Sequence, residues 1–238
     1  MQAPGESRSE KPEASRQGPT CLAQGTTDAT HTAEAGGLSG SGSGPSLPLF
    51  FFERSVTELD DRKAALRARL KGQMPGDPEA ASVAAQDRLL RSGLLPGAGV
   101  IALYRALPSE VSTNLLAGAL LAGGAVACWP RVVEGPVLEF RREGERWTRG
   151  ALRVEEPEGE VVPLPAIDWM VVPALAVDPR GHRLGRGKGY YDATLAAFAG
   201  RSVALVFDLR VVEEVPSGAN DRRVDALCTE SRLVMVSG

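Results

Sequence analysis

Along the 238-residue chain the apolar positions gather into short continuous runs bounded by turn signals. Segments 99–104, 124–129, 203–207 and 233–236 are apolar at successive positions, 167–172 is so apart from Asp168, and all five read as buried strands. Such runs, with helices between them, are the mark of a parallel sheet with helical crossovers. A first helix is expected over 57–72, with Leu59, Leu66 and Leu70 on one face. Thr57 followed by Asp60 has the spacing of a capping box, and Glu58, Asp60 and Asp61 suit the positive end of a helix dipole. A second helix is expected over 79–92, opened by Asp77-Pro78 and stopped by Gly93. A third should follow residue 113 and run to about 121, and a fourth should lead to Gly200. The middle of the chain differs. Segments 137–141, 145–147 and 152–154 are short and strand-like, separated by Gly135-Pro136 and Glu143-Gly144. They read as an antiparallel excursion from the main sheet, and the acidic stretch 155–160 reads as a solvated turn. The pattern predicts an α/β fold: a three-layer α/β/α domain with a mixed, largely parallel, Rossmann-like sheet.

Ahead of residue 55 the pattern is lost. Within 1–54, residues 1–46 are rich in Gly, Ser, Thr, Ala and Glu, with a Gly/Ser run over 36–44, and a short apolar cluster follows from Leu47 to Phe52. Little apolar surface is available there to offset ordering entropy, so a disordered low-complexity tail is expected, with the catalytic domain over 55–238. The net charge of −3 offers no nucleic-acid surface. Cys21, Cys128 and Cys228 make neither a disulfide framework nor a zinc spacing. With His31 and His182 as the two histidines, neither a His-based metal centre nor a Ser-His-Asp triad is expected, and His182 alone lies in a promising context. No secretory signal is visible. The longest apolar run, 115–129, is interrupted by Gly118, Gly123 and Gly124 and falls short of the roughly 20 residues a bilayer span needs. A soluble cytoplasmic protein without a membrane partner is expected.

The chemistry concentrates in 171–195. Gly185, Gly187 and Gly189 alternate with Arg186 and Lys188, Arg183 precedes them, and Tyr190-Tyr191-Asp192 open a helix. Glycine tolerates positive φ and close approach, so backbone N–H groups can converge on an anion. The cations and the helix N-terminus add positive potential at the same place. This predicts a phosphate cradle, although the spacing is neither that of a P-loop nor that of the dinucleotide fingerprint. A carboxylate at Asp192 so close to phosphates calls for a cation, and Mg²⁺ typically binds through one or two carboxylates plus phosphate oxygens. Asp221 is the candidate second ligand, ahead of Asp225; each of these also reads as a turn or helix cap. At roughly 100° per residue, Lys63 and Arg67 fall at the edge of the apolar stripe of the first helix, whereas Arg62, Arg69 and Lys71 read as solvated. Glu110 follows a strand end, where ligands bind in open α/β sheets, and reads equally as an ordinary first-turn acid.

The segment from Asp178 through Pro179, Arg180, Gly181, His182, Arg183 and the glycine loop to Asp192 resembles the signature of the 5-formyltetrahydrofolate cyclo-ligase (5,10-methenyltetrahydrofolate synthetase) family. Supporting matches are 63–67, 108–113, 129–131 and 220–225, in the same order. The resemblance implies an ATP- and Mg²⁺-dependent ligase that converts 5-formyltetrahydrofolate to 5,10-methenyltetrahydrofolate, releasing ADP and phosphate, and acts as a monomer. It implies that Lys63, Arg67, Arg183, Gly185, Arg186, Gly187, Lys188, Gly189, Tyr190, Tyr191 and Asp192 hold ATP. Asp192 and Asp221 would carry Mg²⁺, and Glu110 and Tyr191 would contact the folate. Lys188, Arg186 and Tyr191 would be catalytic. Two departures fall on the folate side: Arg105-Ala106 stands where a more apolar pair is expected, and Glu155-Glu156-Pro157 matches a Gly-x-x-Glu-Pro segment loosely. A phosphate sensor without turnover and a sugar-phosphate isomerase or CoA-transferase-like enzyme are rival readings of the same pattern. Retention of Lys63, Glu110, Asp192 and Asp221 together favours catalysis.

Overall fold

The structure is a computed structural model that describes residues 49–151 and 153–237. The chain runs α1 (Leu49–Leu70), α2 (Pro78–Arg91), β1 (Val100–Ala102), α3 (Asn114–Ala122), β2 (Val126–Arg131), β3 (Glu139–Arg142), β4 (Trp147–Arg149), β5 (Glu155–Pro157) and β6 (Val161–Val162). It continues with β7 (Trp169–Val172), β8 (Ala176–Val177), β9 (Arg183–Leu184), α4 (Tyr190–Ala197), β10 (Arg201–Leu205), β11 (Ala226–Cys228) and β12 (Leu233–Met235). Eight strands form one sheet in the order β12-β11-β10-β7-β1-β2-β3-β6. The centre, from β11 through β10, β7 and β1 to β2, is parallel, and β12, β3 and β6 are antiparallel at the margins.

Successive residues of the central strands face opposite layers, as the pleat requires. Ile101, Val171 and Val203 pack with Leu89 of α2 and with Leu116 and Leu120 of α3. Ala102, Met170, Val172 and Ala204 pack on the other face with Leu195 of α4. The three expected layers are therefore present. Helix α1 uses a third, smaller cluster in which Leu66 and Leu70 meet Leu184 and Val215. Its last turn is tied down by the buried Arg210, which donates to Leu70 O at 2.7 Å and to Gln73 O at 2.6 Å. Among the described residues no helix is long and apolar enough to cross a membrane.

Helix α2 opens as expected, with the Asp77 side chain accepting from Ala80 N. Three expectations are corrected. Helix α1 starts at Leu49 rather than Thr57, so Thr57 lies inside it and the expected domain boundary at 54/55 falls within a helix. No Gly or Pro interrupts 49–71, so nothing stops the helix from propagating backwards. The tail expected over 1–48 lies outside the described residues. Secondly, the acidic stretch is not a solvated turn: Glu155–Pro157 is strand β5, paired with β4, and Glu156 is buried. The strand expected at 152–154 gives way to a turn at Arg153, whose φ is 61°. Thirdly, Ala226–Cys228 forms a central strand that no pattern announced, because three apolar residues are too few to show a period.

Candidate functional site

Beyond the carboxyl ends of β1, β2 and β7 lies a cavity of ≈ 260 Å³. Its cationic side is built by the glycine loop. Gly187 and Gly189 have φ of 90° and 75°, values that favour glycine and turn the loop sharply into α4. Arg67 reaches across from α1, donating from Nε to Gly185 O at 3.0 Å. Arg186 is braced by the strand-end loop after β1: its Nε donates to Glu110 Oε1 at 2.9 Å and its Nη2 to Ser109 Oγ at 2.9 Å. Glu110 is itself fixed, because Oε2 accepts from Leu107 N at 2.9 Å. Lys188 lines the cavity, is exposed, and has no ion-pair partner among the described residues.

Behind the loop lies Arg183. Its Nη2 donates to Asp192 Oδ1 at 2.8 Å, and its guanidinium sits 5.6 Å from the centre of the Tyr191 ring. Burial pulls its pKa down, and the Asp192 charge opposes that. Arg183 Nε is the one buried side-chain polar atom without a hydrogen-bond partner among the described residues. Burial pushes the Tyr191 phenol up, with Glu110 adding to the effect, so Tyr191 is a hydrogen-bond donor at neutral pH rather than a base. Burial also pushes the Cys128 and Cys228 thiols up to about 12, which removes both as nucleophiles.

Lys63 and Asp221 face each other across the site, with Nζ 2.7 and 2.6 Å from the two carboxylate oxygens. Asp221 also accepts from Gly218 N at 2.6 Å. Asp192 and Asp221 line the same cavity, and no group of three or more metal-ligating side chains converges among the described residues. A donor set of two carboxylates fits Mg²⁺ that completes its shell with phosphate oxygens and water, and does not fit a metal held by protein alone. Asp225 is used otherwise: its Oδ2 accepts from Ser202 N and Ser202 Oγ, which fixes the start of β10.

The turn ahead of the loop is held by a residue to which sequence pattern assigned no role. The carboxylate of Asp178 is fully buried. Oδ1 accepts from Arg180 N and His182 N, and Oδ2 from Val215 N, with His182 Nδ1 at 3.1 Å. One side chain thus joins the β8–β9 hairpin, which carries Arg183, to the segment that leads to Asp221. Burial raises its pKa, but the bonds from Val215 and His182 outweigh burial and hold it below the usual carboxylate value. A depressed folded pKa gives stability that is complete above the unfolded pKa of about 4 and fades as pH falls through the folded value. Asp178→Ala is therefore expected to cost about 3 kcal/mol at neutral pH by leaving several buried donors unpaired, and the deficit should shrink in acid. Urea denaturation of both proteins across pH 3 to 7 checks this; a constant deficit would contradict it.

The apolar side is formed by Pro130, Val132, Leu138 and Val154, with Glu156 among them. At its rim Arg105 lies 4.7 Å over the Trp147 ring and pairs with Glu155 Oε2 at 3.2 Å. All the residues expected at the site, from Lys63 and Arg67 through Glu110 and 183–192 to Asp221, line this one cavity. Arg62, Arg69 and Lys71 are exposed. Ser109, Asp178 and Glu156 are additions. The Asp178-Pro179-Arg180-Gly181 turn pattern is a signal for Asp178; Glu156 falls in the segment that loosely matches Gly-x-x-Glu-Pro, and Ser109 becomes visible only with the loop in place.

The model of the 5-formyltetrahydrofolate cyclo-ligase family matches residues 56–230. The mouse protein named 5-formyltetrahydrofolate cyclo-ligase is 25% identical over 203 residues, covering 74% of this chain and 97% of that one. Proteins of the same name from Mycolicibacterium smegmatis and, in mitochondria, Arabidopsis thaliana are 41% and 37% identical over 70 and 83 residues. Those two matches span about a third of each relative, 36% and 30%. The solved structure of Aquifex aeolicus 5,10-methenyltetrahydrofolate synthetase is 28% identical, with a TM-score of 0.64, covering 76% of this chain and 93% of that one. The Mycoplasma pneumoniae synthetase, 16% identical with a TM-score of 0.58 over 73% of this chain and 99% of that one, shares the fold.

Proposed function

Because the chain belongs to the 5-formyltetrahydrofolate cyclo-ligase family, we propose that it uses Mg·ATP to close 5-formyltetrahydrofolate into 5,10-methenyltetrahydrofolate, releasing ADP and phosphate. The observation that carries the reading is a convergence on one cavity. The cations Lys188, Arg186 and Arg67 and the carboxylates Asp192 and Asp221 are among the groups that meet there, opposite an apolar wall.

A formamide carbonyl is a weak electrophile and its oxygen a poor leaving group. Transfer of the γ-phosphoryl group to the formyl oxygen breaks the bond to ADP and leaves an iminium-like phosphate ester. The N10 amine of the same molecule then attacks the formyl carbon. Its proton is lost, the carbon–oxygen bond breaks, and phosphate departs. Little covalent chemistry is asked of the protein, which must align two substrates and neutralise charge.

The backbone of 185–189 cradles the phosphates, and Lys188 bears on the γ-phosphoryl oxygens. Glu110 and Ser109 keep Arg186 extended toward the same charge. Tyr191, neutral, donates a hydrogen bond to the formyl or phosphoryl oxygen. Arg183, with Nε unpartnered, stands beneath. Lys63 and Asp221 hold each other until a polyphosphate and its cation offer each a stronger partner. Asp192 and Asp221 would hold Mg²⁺, which supplies charge neutralisation at the phosphates.

To test this, protein, Mg·ATP and 5-formyltetrahydrofolate are mixed, and methenyltetrahydrofolate absorbance is followed in the near ultraviolet with ADP and phosphate measured in parallel. Equal amounts of the three products are expected. Folded protein that gives no methenyl signal, or gives it without ATP, would overturn the proposal.

A further inference from the structure

We infer that Arg210 is a positioning residue for the nucleotide: it clamps the carboxyl end of α1 to the end of β10 and so holds Lys63 and Arg67 at the phosphate site while both exchange their protein partners for polyphosphate. This rests on the Mg·ATP reading and deepens it. Arg210 closes the short turn after β10. Its own N–H donates to Phe207 O at 2.8 Å, and Val212 N donates to Val177 O at 2.9 Å. The backbone that bears it is therefore pinned to the end of a central strand and to β8.

The side chain reaches the last turn of α1. The final carbonyls of a helix have no intrahelical partner, and a cation there also meets the negative end of the helix dipole. Arg210 Nη1 donates to Leu70 O at 2.7 Å and Nη2 to Gln73 O at 2.6 Å. One planar group thus spans the helix end and the turn beyond it, a geometry that a lysine ammonium does not reproduce. The guanidinium is buried, and its charge is met by no carboxylate among the described residues. Burial pulls its pKa down, with Arg186 adding to the effect. A buried cation kept in that state is a poor source of stability. Its hold on two carbonyls is that of a clamp.

Helix α1 decides what the clamp holds. At a rise of about 1.5 Å per residue, Lys63 and Arg67 lie within about 10 Å of the clamped carbonyl of Leu70. Arg67 donates to Gly185 O at 3.0 Å and lies along the glycine loop, where a Cβ at Gly187 would sit 3.5 Å from its Nη2. Lys63 is held by Asp221 at 2.6 Å. Both ties lie within the site, where phosphates and their cation compete for the same groups. Leu66 and Leu70 keep their apolar contacts, but such contacts are non-directional. The bonds from Arg210 are directional and take no part in the exchange. Arg210 also opens the segment that leads to Asp221, so one residue steadies both sides of the Lys63–Asp221 pair.

The experiment uses the full chain with Arg210→Met, which removes both bonds, and Arg210→Lys, which keeps the charge and reaches one carbonyl at most. Each is also placed in a Lys63→Ala/Arg67→Ala background, which keeps Lys188 and the glycine loop for the phosphates. Equilibrium binding of Mg·ATP and of 5-formyltetrahydrofolate is measured, and kcat with both substrates saturating. Arg210→Met is expected to weaken Mg·ATP by about 10-fold and Arg210→Lys by about threefold, with folate affinity and kcat within about twofold. In the Lys63→Ala/Arg67→Ala background neither substitution should change Mg·ATP affinity by more than about 1.5-fold, because the residues through which Arg210 acts are gone. General loosening of the fold would weaken both ligands and persist in that background; that outcome, or unchanged Mg·ATP affinity in both variants, would overturn the inference. If Arg210→Met does not fold, Arg210→Lys decides alone. Wild type that binds Mg·ATP, with variants that show this binding pattern, but that forms no product would sink cyclo-ligation and uphold the Arg210 assignment. Wild type that binds no Mg·ATP would overturn both.

Discussion

Lys188→Ala is expected to lower kcat/KM for Mg·ATP by about 100- to 1,000-fold while leaving 5-formyltetrahydrofolate affinity within about threefold, because the lost charge acts mainly on the transferring phosphoryl group. Lys188 sits between Gly187 and Gly189, both at positive φ, so the loop presents it to the cavity. It is free of ion-pair partners among the described residues, unlike Lys63, Arg183 and Arg186. A cation already neutralised by a carboxylate must lose that partner before it stabilises phosphate; Lys188 has nothing to lose. Steady-state kinetics with each substrate varied, together with direct folate binding, checks this. Equal loss toward both substrates would contradict the cradle.

The second large effect is expected at Asp221. Asp221→Asn should reduce kcat by about 100-fold or more and raise the Mg²⁺ concentration needed for half-maximal rate, since charge at the phosphates is then neutralised less well. The amide can still accept from Gly218 N, so the loop keeps its anchor. Lys63 loses the carboxylate that holds it at 2.6 Å. That pair is largely buried, so some loss of thermal stability without ligand accompanies the change, of about 1 to 3 kcal/mol. The distinguishing readout is the Mg²⁺ titration. A variant with a reduced rate but an unaltered Mg²⁺ dependence would assign Asp221 to holding Lys63 alone.

The central strands and the glycine loop are plain in the sequence, for a physical reason. A strand covered on both faces must be apolar at every position, and 169–172 and 203–207 are. A loop that wraps phosphate must combine glycine with cations, and 183–189 does. Lys63 and Arg67 are legible because helical periodicity fixes their direction relative to Leu66 and Leu70. What stays hidden depends on partners distant in the chain. Glu155 and Glu156 are the same residue type in an acidic run, and only pairing with β4 decides that one faces water and the other the cavity. Asp178 has the pattern of a turn residue, and its bond to Val215 N joins segments that periodicity treats separately. Residues 226–228 become a strand because β10 and β12 flank them, not because three apolar residues demand it.

These features converge on one chemical claim: the site brings the γ-phosphoryl group of ATP to the formyl oxygen of the folate. It is tested most directly by turning over 5-formyltetrahydrofolate labelled with ¹⁸O in the formyl group and analysing the released phosphate by mass spectrometry. Transfer to that oxygen predicts one ¹⁸O atom in each phosphate formed alongside methenyltetrahydrofolate. Product formed with unlabelled phosphate, the label appearing in water, would contradict the account.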